Sequence, residues 1–399
     1  MKPHLQVIHL TLHFALITKT VLSLPTNQSP LAVSPLNPYP NKPKIVFRDD
    51  GSFQIMVLSD LHFGENPWDW WGPEQDRKSL ILLREVLKPG KGQPDYVIIN
   101  GDLITGENTF EHNSTLLIDQ IAGPINESGI PFSSIHGNHD NQPNITHLAE
   151  IEREQLVAPN TYTRKSPPGV GGQGGEGNYW VPVYRHIEDT IPSLVLWCFD
   201  SRGGDSPGKD SKPMEDWVHH SVADWIQNET KAMKKAWGSH DDIGALAFVH
   251  IPPFLVRKLQ ANLNETVSPG LNGSYKYAPV STQAHFGSSA DHMGEGSSQR
   301  KGKDEAFWNA MTTYIPNLHA LVSGHDHGNE WCARERKKGI VFCFAKHSGH
   351  GGYGGPGWGF GVRNILFQNF NTTGTIKTWI QMEGGEKKAE LDIDETFDP

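Results

Sequence analysis

Histidine, aspartate and asparagine residues recur directly after apolar stretches of this sequence. They end the segments VLSDLH, VIINGD, SIHGNHD, ALAFVH and ALVSGHDH, and in chain order they are Asp60, His62, Asp102, Asn138, His139, Asp140, His250, His325 and His327. Because open α/β sheets place their ligand crevice beyond the carboxyl ends of the strands, these side chains are expected to converge. Nitrogen and oxygen donors without a thiolate suit Mn, Fe or Zn rather than a closed structural zinc site. The pattern therefore predicts a metal site at this edge of the sheet.

Each motif alone is weak evidence for this chemistry. An Asp-x-His sequence is common, and a histidine at a strand end more often has a structural hydrogen-bonding role. The GNHD sequence at residues 137–140 is rarer, and all five segments stand at the ends of apolar runs. Their combination favours one functional site over five separate structural roles.

The order DxH, GD, GNHD, apolar-x-H and GHxH spans residues 60–327 and resembles the calcineurin-like metallophosphoesterase superfamily. Within it, the chain looks most similar to the fungal and plant phosphatases that are grouped with the purple acid phosphatases. The resemblance implies an α/β fold, a four-layer α/β/β/α sandwich of two mixed sheets. It also implies a phosphomonoesterase with two metal ions (Mn, Fe or Zn) and a metal-bridging hydroxide that attacks phosphorus.

The resemblance also assigns roles by motif position. His139 is implied to face the substrate, and Asp140 is implied to orient its ring. Asp102 suits a bridging role because a carboxylate can contact two cations at once. The implied metal ligands are Asp60, His62 and His327 for the first ion, Asp102 for both ions, and Asn138, His250 and His325 for the second.

Two positions depart from the purple acid phosphatase pattern. His62 stands where those enzymes have glycine, and Thr105 stands where they have a tyrosine ligand. The sequence therefore predicts a protein without the iron–tyrosinate chromophore. GDLITGE at residues 101–107 also lacks the arginine of the Ser/Thr phosphoprotein phosphatase signature.

Two other functions remain open from the sequence. The same metal core serves phosphodiesterases of the acid-sphingomyelinase-like or cyclic-nucleotide type, which leave room for a second ester substituent. A non-catalytic binding protein on the same fold is a more remote alternative, because degenerate members usually lose ligands and none is missing here.

Apolar periodicity predicts the elements that position these residues. Two apolar runs joined by Asp50-Gly51 predict a hairpin within residues 45–60. Helical and strand periods then alternate, which predicts a largely parallel sheet with helices on its faces. The predicted helices lie near residues 76–88, 114–121, 214–237 and 303–313, and the further strands near 95–100, 131–135, 179–184, 194–199, 245–249, 320–322, 340–345 and 365–370.

The ends of the chain differ in composition from its centre. A basic start, an apolar middle and small residues at Val21 and Ser23 predict a cleaved signal peptide. Stretches 167–177 and 267–303 are interpreted as surface insertions, and the glycine-rich stretch 349–361 as a tight surface loop. The predicted organisation is a signal peptide at 1–23, a Pro-rich linker at 24–43, one catalytic domain at 44–382 and a frayed acidic tail at 383–399.

Charge and glycosylation motifs restrict the partners and the compartment. A net charge of −10 argues against nucleic acid as a partner. The family resemblance implies a phosphate ester as the substrate. We expect a secreted, cell-wall or vacuolar protein with no stable membrane insertion after signal cleavage; its oligomeric state stays open. Sequons support this route and lie at Asn27, Asn113, Asn126, Asn144, Asn228, Asn264, Asn272 and Asn371.

The chain contains three cysteines. Cys332 and Cys343 lie on two apolar stretches that can pair, so the sequence allows a disulfide between them, and the alternative is two free thiols. Cys198 lies in an apolar run and is expected to be free and buried.

Overall fold

The computed structural model describes residues 36–90, 92–239, 241–263, 270, 281–283 and 302–397. The predicted signal peptide lies outside these residues, as do positions 24–35 of the linker and most of the predicted insertion 267–303. Among the helices of the described part, none has both the length and the apolarity needed to cross a bilayer.

Strands and helices alternate along most of the described chain. The strands are β1 (Ile45–Val46), β2 (Phe53–Leu58), β3 (Tyr96–Asn100), β4 (Phe132–Ile135), β5 (Tyr179–Tyr184), β6 (Leu194–Phe199), β7 (Gly244–Val249), β8 (Leu318–Ser323), β9 (Cys332–Glu335), β10 (Ile340–Phe344), β11 (Gly361–Phe367), β12 (Ile376–Met382) and β13 (Lys387–Ile393). The helices are α1 (Trp71–Val86), α2 (Leu116–Ser128), α3 (His147–Val157), α4 (His220–Trp237), α5 (Val256–Gln260) and α6 (Glu305–Tyr314).

The strands form two mixed sheets. One is seven-stranded, in the order β1-β5-β6-β7-β8-β10-β9, and the other is six-stranded, in the order β13-β12-β11-β2-β3-β4. In the six-stranded sheet β2, β3 and β4 run parallel, because helical crossovers return the chain to the same edge. In the seven-stranded sheet β6, β7 and β8 run parallel in the same way. Each sheet therefore has one edge at which the carboxyl ends of several strands meet.

Alternation along β2 divides its side chains between two hydrophobic cores. Ile55 and Val57 pack in the core between the two sheets, together with Leu246 of β7. Met56 and Leu58 point the other way and pack in a second core with residues of α1 and α2. Since neighbours on a strand face opposite sides of its sheet, both faces of the six-stranded sheet are covered.

A third core covers the outer face of the seven-stranded sheet. The ring of Trp197 on β6 lies 5.5 Å from that of Trp225 on α4, in an edge-to-face arrangement. Phe199 contacts Phe307 of α6 in the same manner at 4.9 Å. The layers therefore run helix, sheet, sheet, helix, which confirms the predicted α/β/β/α sandwich.

The predicted hairpin within residues 45–60 is wrong. The turn exists, since Gly51 N–H donates to the carbonyl oxygen of Arg48 over 2.8 Å, with φ of 83° at Gly51. However, β1 pairs with β5 of the seven-stranded sheet, whereas β2 lies between β3 and β11 of the six-stranded sheet. Asp-Gly chemistry specifies the local reversal, but burial against distant strands selects the pairing.

The predicted frayed tail is also wrong for residues 387–393, which form β13. Residues of β13 pair antiparallel with β12, and Ile393 lies opposite Ile376. Most β13 side chains are exposed or half-buried, which explains why the sequence shows only a weak apolar pattern there.

The cysteines behave as the disulfide alternative expects. Cys332 and Cys343 form a disulfide and are direct partners across the antiparallel pair of β9 and β10. Cys198 on β6 is free and buried, as predicted.

Candidate metal centre

Three strand ends show how the fold places the predicted site residues. Strand β2 ends at Leu58, β3 at Asn100 and β8 at Ser323, and Asp60, Asp102 and His325 each follow two residues later. Strands β4 and β7 supply the GNHD segment and His250 in the same way. The structure thus brings together side chains from the edges of both sheets.

Four of these residues adopt a left-handed backbone. The φ angles are 56° at Asp60, 49° at His62, 49° at Asp102 and 74° at His325. This region is sparsely populated by residues other than glycine, and each instance costs about 1–3 kcal/mol. Hydrogen bonds between the loops offset that cost, from Asp60 N to Gly101 O and from His62 N to Asp102 O, each 3.0 Å. Such over-determined conformations are typical of functional sites.

The first grouping consists of Asp60, His62 and His327, whose donor atoms all lie within 4.8 Å of one another. The Nε2 atoms of the two histidines face each other at 3.2 Å. The Nδ1 atom of His327 lies 2.6 Å from the carbonyl oxygen of Tyr353, which can only accept a hydrogen bond. This contact selects the tautomer with the proton on Nδ1, in which the Nε2 lone pair of His327 points toward His62. A cation between these nitrogens and the carboxylate of Asp60 fits this donor set.

The second grouping consists of Asp102, His250 and His325, again within 4.8 Å. His250 Nδ1 donates to the carbonyl oxygen of Asn100 over 2.8 Å, which directs Nε2 to within 3.0 Å of Asp102 Oδ2. His325 Nε2 lies 3.0 Å from Ser281 Oγ, so its Nδ1 is the atom left to face the grouping.

Asp102 and Asn138 complete the arrangement. Asp102 Oδ2 lies 3.7 Å from His62 Nε2 and 3.0 Å from His250 Nε2, so one oxygen faces both groupings. Its other oxygen accepts a hydrogen bond from the backbone N–H of His139. Asn138 Oδ1 is buried and has no hydrogen-bond partner among the described residues. A buried amide oxygen left unsatisfied is the kind of donor that a second cation would use.

Electrostatics within the centre fit cation binding. Burial opposes the charge of Asp60, yet the neighbouring imidazoles of His327 and His250 hold its pKa below the usual range. Burial also opposes protonation of His250, but the charge and hydrogen bond of Asp102 raise its pKa to about 9. Burial lowers the pKa of His325 to about 3, so that ring is neutral. The ionised carboxylates attract either protons on the neighbouring imidazoles or a metal ion, and the two compete.

His139 lies at the open side of the centre, with 30% of its side chain exposed. Asp140 does not have the role predicted for it. Its two oxygens accept hydrogen bonds from the backbone N–H groups of Ile104 and Gly137, because its side chain turns inward to hold the loop. The carboxylate beside the His139 ring is that of Glu107, at 2.6 Å from Nδ1. Glu107 belongs to a short 3-10 turn after β3 and carries no motif signal.

The glycine-rich stretch 349–361 is more than the tight surface loop predicted. His347, just before it, is 3% exposed and stacks on His327 with ring centroids 3.9 Å apart. Gly349 packs so closely on Leu61 that an added Cβ would lie 2.0 Å from its carbonyl oxygen. The stretch therefore forms one wall of the centre, and glycine is needed there for close backbone approach.

A third grouping, His147, Glu176 and Asp200, lies behind the GNHD loop. His147 contacts the carbonyl oxygen of Gly137 through Nε2 and the Asp200 carboxylate through Nδ1, each at 2.8 Å. Asp200 also accepts from the backbone of Gly177. Both nitrogens thus face acceptors, which makes His147 a doubly donating imidazolium that pins the loop rather than a metal ligand.

Two mixed sheets between helices, with paired histidine–aspartate groupings at the strand ends, define the class of binuclear metallophosphoesterases. Residues 53–329 match the model of the calcineurin-like phosphoesterase family, and the chain belongs to that family.

Relatives of the chain carry different descriptions. It is 27% identical to "probable inactive purple acid phosphatase 28" of Arabidopsis thaliana, over 86% of this chain and 83% of that protein. It is 26% identical to phosphatase DCR2 of Saccharomyces cerevisiae, over 85% of this chain but 55% of that protein. A solved dimetal phosphatase from Danio rerio matches 86% of this chain and 99% of its own, with TM-score 0.45 and 10% identity. Since one name denies activity and another asserts it, turnover has to be measured.

Proposed function

We propose that this protein is a metal-dependent phosphomonoesterase. The observation that carries the proposal is the single Asp102 oxygen that faces both groupings, with a nitrogen donor on each side. The complete donor set supports an enzyme over a degenerate binding protein. The metal ligands we propose are Asp60, His62 and His327 for the first ion, Asp102 for both ions, and Asn138, His250 and His325 for the second.

The residues around the centre suit a phosphate dianion. Two divalent ions beside two carboxylates would leave a formal charge of about +2 and would lower the pKa of a shared water. His139 stands on the open side, where its ring can donate to a phosphate oxygen or to the leaving alkoxide. Glu107 holds that ring from outside the groupings.

Hydrolysis of a generic aryl phosphate tests the proposal. The purified protein should release phosphate and should lose this activity with chelator. Asp102→Asn and His139→Ala should each lower turnover by about 10²–10⁴-fold. The matched controls are Asp210→Asn and His186→Ala, which change exposed residues and should retain activity. Unchanged turnover in both site variants would exclude the proposed chemistry.

The preferred ester class is tested in the same assay. A phosphomonoesterase turns over a mono-aryl phosphate faster than a bis-aryl phosphate, and the reverse ratio would indicate a phosphodiesterase. Stoichiometric metal without turnover of either ester would indicate a non-catalytic binding protein.

We also propose that the protein passes through the secretory pathway. Two observations support this: the Cys332–Cys343 disulfide, which is typical of oxidising compartments, and the exposure of the sequon residues Asn228 and Asn371. Asn144 is a different case, because its side-chain nitrogen donates to the carbonyl oxygen of Thr109 over 2.6 Å. In protein from the native host, peptide mapping should find glycans at Asn228 and Asn371 but not at Asn144. An intact Met1 with unmodified asparagines would contradict this route.

A further inference from the structure

His327 lies between two other rings. The ring of Tyr353 stacks on one side at 3.9 Å between centroids with 7° between planes, and that of His347 stacks at 3.9 Å and 30°. Aromatic contacts on both faces fix the plane of the imidazole. The edge that carries Nε2 is left to face His62 and Asp60.

Tyr353 holds His327 by polar contacts as well. Its carbonyl oxygen accepts from His327 Nδ1 at 2.6 Å, and its hydroxyl accepts from the backbone N–H of His327 at 3.0 Å. The same hydroxyl reaches the carbonyl oxygen of His325 at 3.3 Å. One residue thus sets the ring plane, the tautomer and the local backbone of a proposed metal ligand.

The backbone of Gly352, next to Tyr353, lies in close contact with the rings of the first grouping. A Cβ added at Gly352 would lie 2.6 Å from Cε1 of His327 and 2.7 Å from Cδ2 of His62, and φ there is 72°. A side chain at this position would have to push both rings aside, and His327 is already held between two stacked rings. Gly354 offers a contrast two residues later, because an added Cβ there meets nothing within 4 Å.

We infer that Gly352 and Tyr353 form a ligand clamp, which holds His327 in the plane and tautomer required by the first metal ion. The inference rests on the proposed metal centre. In other metal sites, the group that bonds the far nitrogen of a ligating histidine contributes about 10–100-fold in metal affinity. Here that group is a backbone carbonyl, so the loop itself is a positioning element and tolerates side-chain change only if its backbone stays in place.

The affinity of the protein for metal ions tests the ligand clamp without relying on turnover. Gly352→Ala should retain one tightly bound ion and bind the other about 10–100-fold more weakly, as measured by titration of metal-free protein with Mn²⁺ or Zn²⁺. Gly354→Ala is the matched control and should bind both ions like the wild type. Equal affinities in Gly352→Ala and wild type would overturn the inference.

The tautomer of His327 can be measured in the metal-free protein and gives a second test. In ¹⁵N-histidine spectra of metal-free protein, one ring assigned by its loss in His327→Gln should carry its proton on Nδ1. Tyr353→Phe keeps the carbonyl and the stack and should preserve that tautomer, whereas Gly352→Ala should disturb it. An Nε2-protonated His327 in the wild type would refute the clamp. A protein that binds no metal but shows the Nδ1 tautomer would instead refute the proposed function alone.

Discussion

The Nδ1 atom of His139 lies 2.6 Å from Oε1 of Glu107, a residue outside every motif that identified the site. Burial opposes protonation of His139, but the charges of Asp102 and Glu107 raise its pKa to about 10. A protonated ring suits a group that donates to phosphate or to a leaving alkoxide. Glu107 is therefore expected to keep this histidine charged and correctly oriented.

Glu107→Gln should lower kcat and move the alkaline limb of its pH profile to lower pH. The sign follows from the charge: removing a neighbouring carboxylate lowers the pKa of His139, so its proton is lost earlier as pH rises. Turnover of an aryl phosphate measured between pH 5 and pH 10 checks this. Glu111→Gln, which alters an exposed carboxylate of the same loop, is the control. Profiles of the Glu107 variant and wild type that coincide would show that Glu107 has no such role.

Ser281→Ala should weaken binding of the second ion by about 10-fold, with little change at the first. Ser281 Oγ faces His325 Nε2, and its backbone N–H donates to Asp326 Oδ2 over 3.1 Å. Loss of the hydroxyl lets the His325 ring turn and change tautomer. Metal titration measures the effect, and Ser281→Thr should restore it. Thr282→Val is the neighbouring control, because the Thr282 hydroxyl has no partner among the described residues.

Because of the ion pair between His147 and Asp200, the free energy of unfolding should fall as the pH rises into the alkaline range. Burial opposes the charge of His147, but attraction to the Asp200 carboxylate and the hydrogen bond that His147 donates to it raise the pKa of His147 to about 9. A raised pKa contributes stability that is complete below about pH 6.5 and is lost as pH rises toward 9. Urea unfolding should show wild type losing its advantage over His147→Gln across this window. A constant difference from pH 6 to pH 10 would contradict the charged assignment.

Reduction of the Cys332–Cys343 disulfide should lower the free energy of unfolding by about 2–3 kcal/mol, as expected for a short closed loop. Denaturant unfolding with and without dithiothreitol measures this. The double variant Cys332→Ala/Cys343→Ala should unfold near the reduced wild type and should not respond to reductant, since Cys198 is buried. A reductant effect that persists in the double variant would point to another cause.

The sequence predicted those parts of the fold and site that depend on short-range pattern. Strands β5 and β6 have the predicted bounds, because continuous apolar runs of that length are typical of buried strands. The sequence predicted that these loops converge because the carboxyl ends of the strands meet at one edge, whatever the loops do in between. The left-handed backbone at Asp60 and Asp102 had no sequence signal, because only contacts between the two loops stabilise it.

The residues that were missed act across long sequence separations. Glu107 reaches His139 from another strand end, and Tyr353 reaches His327 across a glycine-rich stretch. Ser281 comes from a segment interpreted as a surface insertion. The hairpin was predicted wrongly for the same reason: β1 pairs with residues near Tyr184, which are distant in sequence from the Asp50-Gly51 turn.

The two groupings draw their donors from both sheets. Asp60, His62 and Asp102 follow strands of the six-stranded sheet, whereas His250 and His327 follow strands of the seven-stranded sheet. An ion held in either grouping therefore adds a cross-link between two layers that are also joined at this edge by hydrogen bonds, from His250 Nδ1 to Asn100 O and from His325 N to Asp60 Oδ1. With metal bound, the two sheets should open together, so that the amide hydrogens of β3 and β8 exchange at the same rate. After chelation, β3 and β8 should exchange at different rates. The bound metal ions would then stabilise the association of the two sheets in addition to their part in catalysis.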